Sequence, residues 1–232
     1  LAQYADRLEV RQGCFAEVDS WLPGQSCDGV CMDLGISSPQ VDHADRGFSF
    51  LKEGPLDMRM GPAQHLKASD LVNEWDEEDL ARLFRSLGEE PRARKIAQAI
   101  SQSRRVAKFE TTSQLALCVE QSVGGRSSKH HPATRVFQAL RMEVNDELGQ
   151  LKHGLVSAWR ALKPGGRLAT ISFHSLESRL VKRFGHFWGA SYEAGDEADT
   201  PALRVPREPF ARWSPRKSIK ASRQEILQNP RS

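Results

Sequence analysis

Two hydrophobic periodicities divide the chain. Residues 8–15 and 29–36 are short apolar runs, the second reading GVCMDLGI, and both predict buried strands. A near-continuous run of this kind suits a parallel strand covered on both faces. Between residues 69 and 162 the apolar positions instead return every three or four residues, which predicts helices. Asp76 is placed to cap a helix over 77–87 that Gly88 stops, and Pro91 opens the next, where Ala93, Ile96, Ala97 and Ile100 share a face. Thr112 caps a third, carrying Leu115, Cys118, Val119 and Val123 as far as Gly124-Gly125. The stripe Phe137, Leu140, Val144, Leu148, Leu151, Leu155, Trp159 and Leu162 predicts one long helix over 132–162, roughly 45 Å at 1.5 Å per residue.

Pro164-Gly165-Gly166 is read as the end of that helix, and residues 167–173 as a strand burying Leu168, Ile171 and Phe173. A last clear helix follows, with Leu176, Leu180, Val181 and Phe184 on one face and Arg179, Lys182 and Arg183 on the other. Residues 37–62, rich in Gly, Pro, Ser and Asp, predict a long ordered loop rather than a helix. Residues 190–216 are irregular, with Leu203, Val205, Phe210 and Trp213 as anchors. Strand and helix in alternation make the fold class α/β.

In such sheets ligands lie beyond the carboxyl ends of the strands, so the polar residues there are the first candidates. Asp33-Leu34-Gly35-Ile36-Ser37-Ser38-Pro39-Gln40 follows one run and Ser172-Phe173-His174-Ser175-Leu176-Glu177 the other. Asp33 taken alone is equally a loop cap, and His174 equally a satisfied histidine behind a helix N-cap.

Composition changes the picture only in places. Four cysteines, at 14, 27, 31 and 118, form neither a CxxC pair nor a zinc-spaced cluster, which points to small buried side chains in a reducing cytoplasm, with no metal. There is no 18-residue apolar run and no charged-apolar leader, so a membrane span or secretory signal is not expected. Net charge is +3, but residues 82–108 hold eight Lys and Arg against Glu89 and Glu90, and residues 204–223 hold seven against Glu208. Clustered cations suit a nucleic-acid partner, although such runs are more often solvated helix faces.

Four blocks taken together are specific. LKPGGRL at 162–168 is similar to the turn before the fifth strand of many Rossmann-like methyltransferases. With DLGISSPQVDHADRGFSFLKEGPLDMRM at 33–60, HPATRVFQALRMEVNDELGQL at 131–151 and SFHSLESRLVKRF at 172–184, the chain resembles the small-subunit ribosomal RNA methyltransferase H family, also called MraW. The resemblance implies a Rossmann-like class I methyltransferase core, divided as 1–64 and 131–232, around an inserted helical substrate-recognition domain at 65–130. It implies S-adenosylmethionine as cofactor and the N4 amine of a cytidine in 16S rRNA as target. By matching motif, Phe15, Asp33 and Gln40 would touch the cofactor, with Asp33, Ser38 and His174 as candidates for catalysis. Arg92, Arg94, Arg104 and Arg135 are the candidate RNA contacts.

The family's Gly-rich loop and its ribose-binding acid would lie before Leu1, and Ser178 stands where the family usually has Asp. The sequence therefore reads as truncated at both ends, its sheet lacking the first strands and its own activity impaired. A noncatalytic RNA-binding or ribosome-assembly module is the competing reading.

Overall fold

The computed structural model describes residues 6–61, 64–125, 131–193, 201, 204–214 and 218–229. Leu203, one expected anchor, lies outside them, as do Arg216 and Lys217 of the second basic stretch. The chain divides into two compact units, Leu1–Glu177 and Ser178–Ser232.

The first unit opens with a 3-10 turn at Phe15–Glu17 and a one-turn helix α1 (Val18–Trp21), followed by strand β1 (Cys27–Asp33). Helices α2 (Ser38–Asp42), α3 (Ala68–Glu74), α4 (Glu77–Ser86), α5 (Ala93–Ser103) and α6 (Thr112–Ser122) come next. Then come α7 (Ala133–Val144), α8 (Glu147–Ala161), strand β2 (Leu162–Ile171) and the start of α9 (Ser175–Gly189). β1 and β2 pair in parallel, with Val30 opposite Leu168 and Asp33 opposite Ile171. The mixed helix and strand class is as the periodicity predicts.

Several elements differ from the sequence reading, each for a local reason. Residues 8–15 form no strand, because Leu8 and Val10 are exposed and meet no partner strand among the described residues. β1 is covered on one face rather than two. Val30, Met32 and Leu34 alternate inward while Gly29, Cys31 and Asp33 are exposed. Ile171 and Phe173 are 49% and 60% exposed rather than buried. A strand has a period of two, so Leu168 and Ile171, three apart, belong to opposite faces.

The long helix is two. Asn145, buried, donates its side-chain amide to the carbonyls of Met58 and Arg141, both at 2.8 Å, and its side-chain oxygen accepts the Met60 N–H at 2.7 Å. Asp146 then takes a left-handed conformation, φ 46°, one that Asp tolerates better than most residues. The apolar stripe continues through the break because α7 and α8 each keep an apolar face, so spacing alone hides it. Pro164-Gly165-Gly166 lies inside β2 rather than before it. The register jumps there from Cys27↔Leu162 to Gly29↔Arg167, with Gly165 at φ 82°.

Residues 37–62 hold α2 and a 3-10 turn at Ala44–Arg46, so the segment is not all loop. It is nonetheless stitched down. The Arg46 guanidinium donates to the carbonyls of Arg59 and Met60, and Gly54 exchanges bonds with Thr112. Thr111, not Thr112, caps α6 in a reciprocal box with Gln114, which frees the buried Thr112 hydroxyl for Gly54.

The helices share one dry core. Phe84, Ile96, Ile100, Leu115 and Leu140 are fully buried in it with Leu56 and Met58 of the preceding loop. Glycine at 88 permits the close crossing of α4 and α7, since a Cβ there would stand 2.6 Å from the Arg135 carbonyl oxygen.

In the second unit, the remainder of α9 is followed by a short antiparallel pair, β3 (Tyr192–Glu193) and β4 (Val205–Pro206), and by α10 (Arg223–Gln228), a helix the sequence reading did not anticipate. Among the described residues no helix is long and apolar enough to cross a membrane.

Candidate functional site

The carboxyl ends of the two parallel strands set the site. Asp33 and Ile171 finish level, and the Leu34 N–H donates to the Ile171 carbonyl at 3.1 Å, so the chains leave the sheet side by side. The Asp33 side chain lies on the exposed face. Gly35 turns with φ 87°, and a Cβ on it would touch the Phe173 ring at 3.4 Å and come within 4.0 Å of the Glu177 carboxylate. The two post-strand loops therefore pack against each other at a glycine.

Ser37 then starts α2 with a capping box, its N–H and hydroxyl donating to Gln40 Oε1 at 2.8 and 3.0 Å. This commits the Gln40 carbonyl internally and leaves its amide NH2 as the group with which it can meet a ligand. Ser38, first in the helix, is exposed. Phe15 reaches the same edge from the other side. A Cβ on Gly154 of α8 would stand 2.5 Å from the Phe15 ring and 3.1 Å from Met32 Cε, so the ring rests on a glycine seat beside the residue preceding Asp33. The Phe15 side keeps 41% of its surface exposed. The Phe15 ring thus lies on the Met32 side of β1, whereas Asp33 points to the opposite, exposed face, with Ser38 and Gln40 in the segment that follows.

His174 is turned inward. Its Nδ1 accepts the Glu177 N–H at 3.4 Å, and its Nε2 is sealed from solvent without a well-aligned hydrogen bond, 3.2 Å from Glu177 Oε1. Taking a proton from a substrate would require the ring to leave both contacts. Glu177, 3% exposed, is the hub that sequence reasoning passed over. Its Oε2 accepts the N–H groups of Phe173 and His174 at 2.8 and 3.3 Å. Burial pushes its carboxyl up, but the His174 imidazole and those two N–H groups outweigh burial and hold it below the usual glutamate range. The signal was present in the sequence: Glu three residues after His174 at a helix start is the capping spacing.

Glu147 completes the cluster around the buried Glu177, with ligand atoms of Glu147, His174 and Glu177 all within 4.8 Å of one another. These are the side chains that could offer themselves to an ion, yet Arg141 already grips Glu147 through two bonds of 2.6 and 2.9 Å.

The basic candidates are divided. Arg92 and Arg135 flank the buried Glu90 at 3.9 and 3.8 Å, and Arg92 also donates to the Val123 carbonyl at 3.1 Å. Arg94 is exposed on α5. Arg104 is spent structurally, donating to the Val72 carbonyl at 2.8 Å. Two surface clefts lie on the helical side, one lined by residues between Pro55 and Glu110 and the other by residues between Glu74 and Glu143. Neither includes Asp33, Ser38, Gln40 or His174.

An exposed acid at the end of a parallel strand and a tight helix start just beyond it, in a chain of mixed helix and strand, make the strand ends the candidate ligand site. The whole chain, residues 1–232, matches the family model described as the MraW methylase family, and it belongs to that family. It is 46% identical over 236 residues to the ribosomal RNA small subunit methyltransferase H of Hyphomonas neptunium, covering 100% of this chain and 68% of that protein. The protein of the same name from Rhizobium meliloti is 47% identical over 228 residues, 97% of this chain and 65% of its own length. The one from Caulobacter vibrioides is 46% identical over 229 residues, 98% and 73%. The chain thus spans about two thirds of the length of these curated relatives.

Proposed function

We propose that this chain transfers a methyl group from S-adenosylmethionine to the N4 amine of a cytidine in 16S ribosomal RNA, in the cytoplasm. The reading sets a Rossmann-like class I core around residues 65–130 as an inserted RNA-recognition domain. The observation that carries it is the exposed Asp33 carboxylate at the carboxyl end of β1, beside the Gly35 turn, in a chain of the methylase family.

The residues fit the cofactor's chemistry. Asp33 offers an acceptor for an adenine amine, Phe15 an apolar face and Gln40 two amide N–H donors. When bound, S-adenosylmethionine supplies an electrophilic methyl on a sulfonium. The cytosine amine is a weak nucleophile because its lone pair is delocalised into the ring, so the protein's work is chiefly positioning. Ser38 and the backbone at Pro39 supply acceptors that orient the amine and take up its developing charge, leaving Asp33 to the cofactor. His174 and Glu177 serve by fixing the Phe173 loop against Gly35. An unpaired RNA loop makes extrusion of the target base less costly.

Asp33→Ala is expected to lower methyl transfer about 100-fold, the loss of a hydrogen bond to a charged acceptor, mainly through weaker cofactor binding. Calorimetric titration with S-adenosylmethionine and labelled-methyl transfer to small-subunit RNA measure both. Unaltered affinity and turnover would remove Asp33 from the site. Tight RNA binding by the wild-type chain, with no cofactor binding, would instead favour an assembly module.

A further inference from the structure

The chain's basic excess sits in one unit. Ser178–Ser232 holds eleven Lys and Arg against six Asp and Glu, a net of +5, whereas Leu1–Glu177 holds 22 against 24. Within the second unit, Arg179, Lys182, Arg183 and Phe187 of α9 are exposed and spaced by threes and fours, so they form one stripe along the helix. Phe187 and Phe210 are 61% and 65% exposed. Between them lies the Arg207 guanidinium, 5.3 Å from the first ring centre and 5.5 Å from the second.

Arg207 is not available as a phosphate ligand. It donates to the Ala190 carbonyl at 3.2 Å, to the Phe187 carbonyl, and to Glu193 at 3.0 Å, and only 14% of its side chain is exposed. It is a brace, its charge met by Glu193, that packs against one face of each ring and leaves both rings largely exposed. Trp188 packs edge-on to Phe187 at 5.2 Å and to Phe210 at 5.7 Å, stiffening the pair from behind.

We infer that this surface binds single-stranded RNA, with bases stacking on Phe187 and Phe210 and phosphates meeting Arg179, Lys182 and Arg183. The inference rests on the ribosomal RNA reading above and adds a contact surface to it. Braced aromatic rings beside a cationic stripe are the combination that unpaired nucleic acid selects, since every base has a face to stack and every link a phosphate. The unit's net charge of +5 favours a phosphate chain as the partner.

The test is fluorescence anisotropy of the full chain with a labelled unpaired pyrimidine RNA and with a fully paired hairpin of equal length. Phe187→Ala combined with Phe210→Ala is expected to weaken the unpaired RNA about 10-fold or more while leaving the hairpin nearly unchanged, as loss of base stacking requires. Lys182→Glu with Arg183→Glu is expected to weaken both RNAs and to flatten the salt dependence by about two phosphate contacts. Equal affinity of the phenylalanine variant for the unpaired RNA overturns the proposal. So does a lowered melting temperature at equal affinity, which would show the rings to be protein packing. Methyl transfer, measured separately, keeps the two readings apart. Wild-type turnover with a silent phenylalanine pair sinks the surface alone, and stacking-dependent binding without turnover sinks the catalytic reading alone.

Discussion

The helical side of the first unit and its strand edge are built on opposite terms. Around α4 to α7 the large side chains are fully buried, and the polar exceptions are bonded from several directions, as Asn145 is by Met58, Met60 and Arg141. At the carboxyl end of β2 Ile171 and Phe173 are exposed, and order there comes from a few polar contacts around Glu177 and one glycine contact at Gly35. The first region derives its stability from area removed from water, which is forgiving of small shifts. The second depends on directional bonds to single atoms, which is what a site that positions a ligand requires. Stability and chemistry are therefore separable by mutation.

The sharpest separation comes from Phe84, fully buried between the helices. Phe84→Ala should cost about 4 kcal/mol of unfolding free energy, transfer and cavity terms together. Denaturant unfolding measures it. Asp33→Ala, whose side chain is exposed, should leave the unfolding midpoint almost unmoved while removing activity. A large stability loss at Asp33, or a small one at Phe84, would erase the division between the two regions.

Glu177 tests the edge from inside. Its folded-state pKa is held below the usual glutamate value of 4.5, so it contributes stability that is fully present above that value. That contribution is lost as pH falls through the lower folded value. Glu177→Gln, which leaves His174 facing an amide, should cost about 2 kcal/mol at neutral pH. Its stability should then fall less steeply than the wild type's below pH 4.5. Parallel acid limbs in the two proteins would show that the carboxylate is not what holds the Phe173 loop.

How much of this was legible in the sequence follows the same division. The amphipathic helices α4 to α6 lie within a residue or two of where their spacing puts them, because helix burial repeats at the period of the pattern. The break at Asn145 was hidden, since a polar side chain that bonds residues 87 and 85 positions away leaves no periodic trace. At the edge, Asp33 and the SFHSLE segment were legible as polar residues following apolar runs. The direction of His174 was not, because it depends on Glu177 and on the Gly35 turn across the sheet. The exposure of Ile171 and Phe173 was not legible, because the sequence does not say which face of β2 is covered, and Leu168 takes the covered one.

The smallest effect lies on the helical side's outer surface, at the arginines expected to meet RNA. Charge reversal of Arg92 or Arg104 mixes two causes, because Arg92 bonds the Val123 carbonyl and Arg104 the Val72 carbonyl, so both carry structure as well as charge. Arg135 is likewise tied to the buried Glu90, which would lose a neighbour. Arg94, exposed on α5, isolates the electrostatic part. If that face meets phosphate, Arg94→Glu should weaken binding only several-fold and almost equally for different RNA sequences. It should also reduce the slope of log affinity against log salt by about one, the release of one fewer counterion. Its unfolding free energy should stay within about 0.5 kcal/mol of the wild type's, as for surface substitutions generally. An unchanged salt slope would make α5 an ordinary solvated helix face and leave RNA recognition to other surfaces.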